Sequence, residues 1–99
     1  MNADHLAIDV VIQTACGVLT GRFGPREAVT LLASQAPQAR ARAVVLAERD
    51  PEWSLAHAQL LRTIRTELEA TGVVGGEARD MRSVLMELAR VADALAPSP

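Results

Sequence analysis

Apolar and polar residues recur with a helical period along most of the chain, and Gly and Pro cut that pattern into segments. Asn2 or Asp4 can cap a first helix. Beyond them Ile8, Ile12, Ala15 and Leu19 recur at steps of four, three and four, and Val11 and Val18 widen the stripe. Gly17 inside this helix costs roughly 1 kcal/mol relative to Ala, and its missing side chain allows another helix to come close. Gly21 and Gly24 bracket a turn, and Pro25 suits the first position of a second helix, where no N–H is needed. That helix is predicted over 25–36, with Ala28, Leu31, Leu32 and Gln35 inward. Pro37 ends it and starts a third helix, with Ala41, Val44, Val45 and Glu48 on one face. Asp50, Pro51 and Glu52 read as cap, first turn and dipole partner of a fourth helix over 51–71. Trp53, Leu60, Leu61, Ile64 and Leu68 face inward there, and Gly72 fits the left-handed position past its end. After Val73-Val74-Gly75-Gly76, a fifth helix places Met81, Leu85, Leu88, Ala92 and Leu95 at heptad-like spacing. The pattern predicts an all-α, compact bundle of about five helices in one domain over 1–96. Three helices form an N-terminal part (1–49), an antiparallel helical hairpin follows (50–96), and 97–99 is a frayed tail.

Composition sharpens this picture. Aromatic residues make up 2% of the 99 residues while apolar residues make up 49%, so the core is built from Ala, Val, Leu, Ile and Met rather than rings. A sheet domain would show β-branched and aromatic alternation, which is missing. The net charge of −2 argues against a broad electrostatic grip on nucleic acid or an anionic membrane. Every basic residue is Arg, a bias associated with genomes rich in G and C. The charge is uneven: Arg22, Arg26, Arg40, Arg42 and Arg49 face only Glu27 and Glu48 between Thr20 and Arg49, and the balance turns acidic after Asp50. A polyanion would therefore meet the middle of the chain. The apolar run over 6–19 is interrupted by Asp9 and Gln13 and is too short to span a bilayer. The first residues have neither the basic start nor the cleavage site of a secretory signal, so a cytoplasmic protein without membrane contact is expected.

No catalytic constellation emerges, so an enzyme is not expected. His5 and His57 are far apart and lack metal-ligand spacing, so they read as ordinary partly buried or surface histidines. Cys16 has no basic neighbour within a turn and reads as a small hydrophobe rather than a nucleophile. The glycines at 21, 24, 72, 75 and 76 follow no strand and carry no phosphate-binding Lys, so they are turns. Met81 and Met86 fill core gaps. No cofactor, metal or small-molecule substrate is implied.

From Ile12 to Ala36 the spacing resembles the ANTAR family, small three-helix RNA-binding modules of transcription antitermination regulators. Ile12, Ala15, Gly17, Val18, Leu19, Arg22 and Gly24 fall in the order of the family's first half. Glu27, Ala28, Leu31, Leu32 and Ala36 match its second, and Arg42 with Val44 loosely suits the third helix. The resemblance spans residues 12–47 and implies a regulatory protein that binds RNA. Cys16 and Ala33 stand where the family has Lys and Arg, and the loop before Glu27 is two residues shorter than the family pattern.

Two functional expectations follow. In the first, the chain is an ANTAR-like regulator whose RNA phosphates are met by Arg22, Arg26, Arg40, Arg42 and Arg49, with the C-terminal hairpin dimerising it. In the second, it is a non-enzymatic interaction, adaptor or assembly protein without nucleic acid. Its working surface is then the hairpin seam of Trp53, Leu61, Ile64, Leu85 and Leu88, which binds a protein partner or builds a homo-oligomer.

Overall fold

The computed structural model describes residues 3–72 and 75–97. Among them are four α-helices, one 3₁₀ turn at Gly75–Glu77 and no strand. The helices are α1 (Ala3–Leu19), α2 (Pro25–Arg49), α3 (Pro51–Ala70) and α4 (Ala78–Leu95). The all-α expectation holds; the count of five and the three-helix N-terminal part do not, because the second and third expected helices are one. Asn2, Val73, Val74 and the last two residues of the expected tail lie outside the described residues.

Pro37 stands inside α2 without ending it. It removes the N–H that the Ala33 carbonyl would use, a defect that ordinarily costs about 3 kcal/mol. Ala33 and Pro37 are both exposed, so water can reach the vacated carbonyl. The compensating gain lies on the opposite side of the helix. Ala28, Leu32, Ala36, Ala39, Ala43 and Leu46 are all buried, at steps of four, four, three, four and three, so one stripe runs in phase across the proline. Breaking the helix at Pro37 would turn the second half of that stripe out of register. The expected face of Ala41, Val44, Val45 and Glu48 is corrected accordingly: Val44 is 58% exposed, Ala41 and Glu48 are exposed, and Val45 is half-buried.

At 1.5 Å per residue α2 is about 37 Å long, and it sets the longest dimension of the molecule, 41 Å. It packs chiefly against α1 and α4, while α4 also packs against α3. Pairings fix the directions. Asp4 meets Arg42 and Thr14 meets Gln35, so α1 and α2 run antiparallel. Arg62 meets Asp93, and Arg65 and Glu69 share a surface depression with Arg82 and Met86, so α3 and α4 also run antiparallel. One apolar core draws on all four helices, through Ile8, Leu32, Leu61 and Leu88 among others.

The turn after α1 closes as a Schellman motif. Arg22 N–H donates to the Gly17 carbonyl (2.8 Å), Gly21 N–H donates to the Val18 carbonyl (3.2 Å), and Gly21 takes φ +79°. This turn folds Phe23 back onto Gly17, so the neighbour that needs the missing side chain is this ring rather than another helix. A Cβ at Gly17 would run into Cδ2 and Cε2 of Phe23. Gly17→Ala gains about 1 kcal/mol of helix propensity but must evict the ring, at a cost of about 1–3 kcal/mol. A net loss of roughly 1 kcal/mol is expected in chemical denaturation. In a Phe23→Ala background the same change should become stabilising, and a loss in both backgrounds would refute the ring-on-glycine packing.

Asp50 alone links α2 to α3. Its N–H donates to the Leu46 carbonyl and its own carbonyl accepts from Ser54 N–H. Its side chain makes no capping hydrogen bond to α3, contrary to expectation, because the carboxylate turns toward His5 instead. Gly72 takes φ +65° beyond α3, as its position predicts.

Candidate interaction surface

The five arginines expected to meet RNA are not gathered into one patch. Arg40 and Arg42 leave α2 on nearly opposite sides. Arg40 Nη1 lies 2.8 Å from Glu87 Oε2 on α4, and Arg90 holds the other oxygen of the same carboxylate at 3.0 Å. Arg42 Nη1 lies 3.1 Å from Asp4 Oδ1 on α1. Both are therefore already matched within the bundle. Arg22, Arg26 and Arg49 are exposed and have no carboxylate partner among the described residues. Arg26 and Arg49 sit at opposite ends of α2, about 35 Å apart along its axis.

The five residues expected to present a hairpin seam are mostly interior. Leu61 and Leu88 are 0% exposed and Ile64 is 4% exposed, which places them in the core shared with α1 and α2. A partner could touch them only if the bundle opened. Trp53 and Leu85 are half-buried against that core. The seam is thus used inside the chain.

The structure gathers a cluster at one end of the bundle that separation in sequence conceals. His57 stacks on Trp53 with centroids 3.7 Å apart and planes 16° from parallel, and its Nδ1 lies 2.8 Å from the Trp53 carbonyl. The His5 ring meets Trp53 edge-on at 4.6 Å, and its Nε2 lies 3.3 Å from Asp50 Oδ2. The four-residue spacing of Trp53 and His57 is a helical contact spacing and was readable; the approach of His5 depends on tertiary topology. The cluster ties the start of α1 to the α2–α3 link. No group of three or more His, Cys, Asp or Glu among the described residues could hold a metal ion. His57→Ala removes a stacking contact of about 1 kcal/mol, partly offset by better helix propensity. Trp53 emission is expected to shift to longer wavelength as one ring face becomes wet. An unchanged spectrum would contradict the stacking.

An open surface lies along the seam of α1 and α2. Although α1 is the least polar of the helices, it does not bury its whole circumference. Ile8, Val11, Ala15 and Val18 face the core, whereas Leu6 is 53% exposed and Val10 is half-buried. Two depressions share Val10. One runs past Leu6 toward Gln38 of α2, and the other, of about 380 Å³, is walled by Phe23 and Leu31 with Arg22 at its edge. Between the helices the Thr14 hydroxyl, nearly buried, donates to Gln35 Oε1 at 2.9 Å and pins the seam. Cys16 is half-buried beside it.

No protein-family model, curated protein or solved structure matches this chain. Its functional reading therefore rests on its own geometry. Among the described residues no helix is long and apolar enough to cross a membrane. The residues that sequence reasoning missed are Leu6 and Val10, while Leu31, expected to face inward, is half-buried at this seam. Leu6 and Val10 stand off the core stripe of α1 at a step of four, and a second apolar stripe on an already apolar helix was the available signal.

Proposed function

We propose that this protein is a non-enzymatic interaction module that works through contact with another protein. The observation that carries the reading is the second apolar stripe of α1, left open beside α2 on a bundle whose core is complete without it. Exposed apolar surface bordered by polar residues marks contact sites. Charge supports the same reading: the two arginines in the middle of α2 are neutralised by Glu87 and Asp4, so two of the five arginines of the basic strip are matched within the fold. The RNA-binding, ANTAR-like reading keeps Arg22, Arg26 and Arg49, which are exposed and unmatched. Three exposed cations, two of them at opposite ends of α2, on a chain of net charge −2 give weak and strongly salt-dependent binding.

Fluorescence anisotropy of labelled RNA hairpins and duplex DNA, titrated with the protein at low and moderate salt, separates the two. The interaction-module reading expects no saturable binding at micromolar protein in moderate salt. Tight, salt-sensitive binding to RNA over DNA, weakened by Arg22→Glu with Arg26→Glu, would replace it with the regulator reading.

A further inference from the structure

The seam between α1 and α2 selects its occupant by charge as well as by shape. We infer that it receives an amphipathic helix of another protein whose apolar stripe is flanked by carboxylates. The inference rests on the interaction-module reading and names its site.

Leu6, Val10, Phe23 and Leu31 form the apolar strip, and the two depressions that share Val10 follow one another along α1, from Ala3 to Cys16. A helix of 17 residues spans about 25 Å, the reach of four to five turns of a docked helix. Arg22 decides the chemistry. Among the described residues it is the only charged side chain lining either depression. The depression between α2 and α4 pairs Arg40 with Glu87, and the one between α3 and α4 pairs Arg65 with Glu69 and leaves Arg82 exposed beside them. Each of these thus holds a carboxylate of its own, whereas the described lining of the α1–α2 depressions holds none. The Arg22 guanidinium lies 6.0 Å from the centroid of the Phe23 ring and has no carboxylate partner among the described residues. A carboxylate carried in beside an apolar stripe meets the exposed Arg22 guanidinium in a charge-assisted hydrogen bond, which strengthens as the docked helix excludes water. A basic helix of the same shape meets like charge there, and that repulsion supplies discrimination.

The test titrates the full chain into fluorescein-labelled synthetic helices of about 18 residues, long enough to fill both depressions. They share one leucine stripe and differ in having Glu, Gln or Lys flank it. The Glu peptide is expected to bind about tenfold more tightly than the Gln peptide, and the Lys peptide more weakly than either. Arg22→Gln should erase the difference between the Glu and Gln peptides. Leu6→Asp should weaken the Glu peptide by about tenfold or more. Both changes are on exposed side chains, so circular dichroism should stay unchanged. Equal binding of the Glu and Lys peptides would overturn the inference. So would a dimer, seen by sedimentation, that Leu6→Asp dissolves, since a second copy would then fill the depressions. Glu-peptide binding that ignores Leu6→Asp and Arg22→Gln but is lost with Met86→Asp would overturn the site while sparing the interaction-module reading. Displacement of the bound peptide by an RNA hairpin would overturn both.

Discussion

Pro37→Ala is expected to stabilise the protein by about 2 kcal/mol and to raise its melting temperature by roughly 10 °C. A proline inside a helix costs about 3 kcal/mol relative to Ala, and part of that is recovered here because the freed Ala33 carbonyl is exposed to water. Alanine restores an N–H for the Ala33 carbonyl and leaves the buried stripe from Ala28 to Leu46 untouched. The direction of the effect separates two structures. If α2 is continuous, the proline is a tolerated defect and its removal helps. If the chain breaks at Pro37 into two helices, the proline suits a first helical position and alanine brings no gain or a loss. Thermal denaturation followed by circular dichroism reads the difference.

Leu88→Asp is expected to abolish the fold at every protein concentration. Leu88 is fully buried, so removing its side chain alone costs about 2–5 kcal/mol. An unpaired carboxylate in the same place adds several kcal/mol more, and the sum matches or exceeds the whole stability of about 5–15 kcal/mol usual for folded domains. Met86→Asp, two residues earlier on α4, makes the same charge change at a side chain that is 52% exposed. It should leave stability within about 0.5 kcal/mol. If the seam of α3 and α4 were instead an interface between chains, Leu88→Asp would yield a folded monomer. Size-exclusion chromatography with far-UV circular dichroism distinguishes an unfolded chain from that monomer.

Much of the architecture was legible because Gly and Pro stand where the helices end. Gly21 closes α1, Pro25 opens α2, Pro51 opens α3 and Gly72 follows it, each for a stated backbone reason. The core stripes of α3 and α4 were largely readable too, since Leu61, Ile64, Leu68, Met81, Leu88, Ala92 and Leu95 are buried as their spacing implies. The continuity of α2 was not. A local rule counts the cost of Pro37, whereas the gain lies in contacts with α1 and α4 that no local rule registers. The signal was present in the phase of Ala28, Leu32, Ala36, Ala39, Ala43 and Leu46, but alanines carry little hydrophobic weight and Val44 with Val45 drew attention to the wrong face. The fate of the arginines was equally hidden, because Glu87 and Asp4 are 47 and 38 residues from the side chains they neutralise. His5 joins Trp53 only through the same topology.

The measurement that tests the account most directly is an amide chemical-shift map of the isotope-labelled protein, recorded with the Glu-flanked helical peptide and then with an RNA hairpin. The account predicts saturable shifts along the α1–α2 seam, around Leu6, Val10, Arg22 and Leu31, with the peptide, and none with the RNA in moderate salt. Saturable shifts with RNA at Arg22, Arg26 and Arg49, together with a silent seam in the peptide titration, would contradict it.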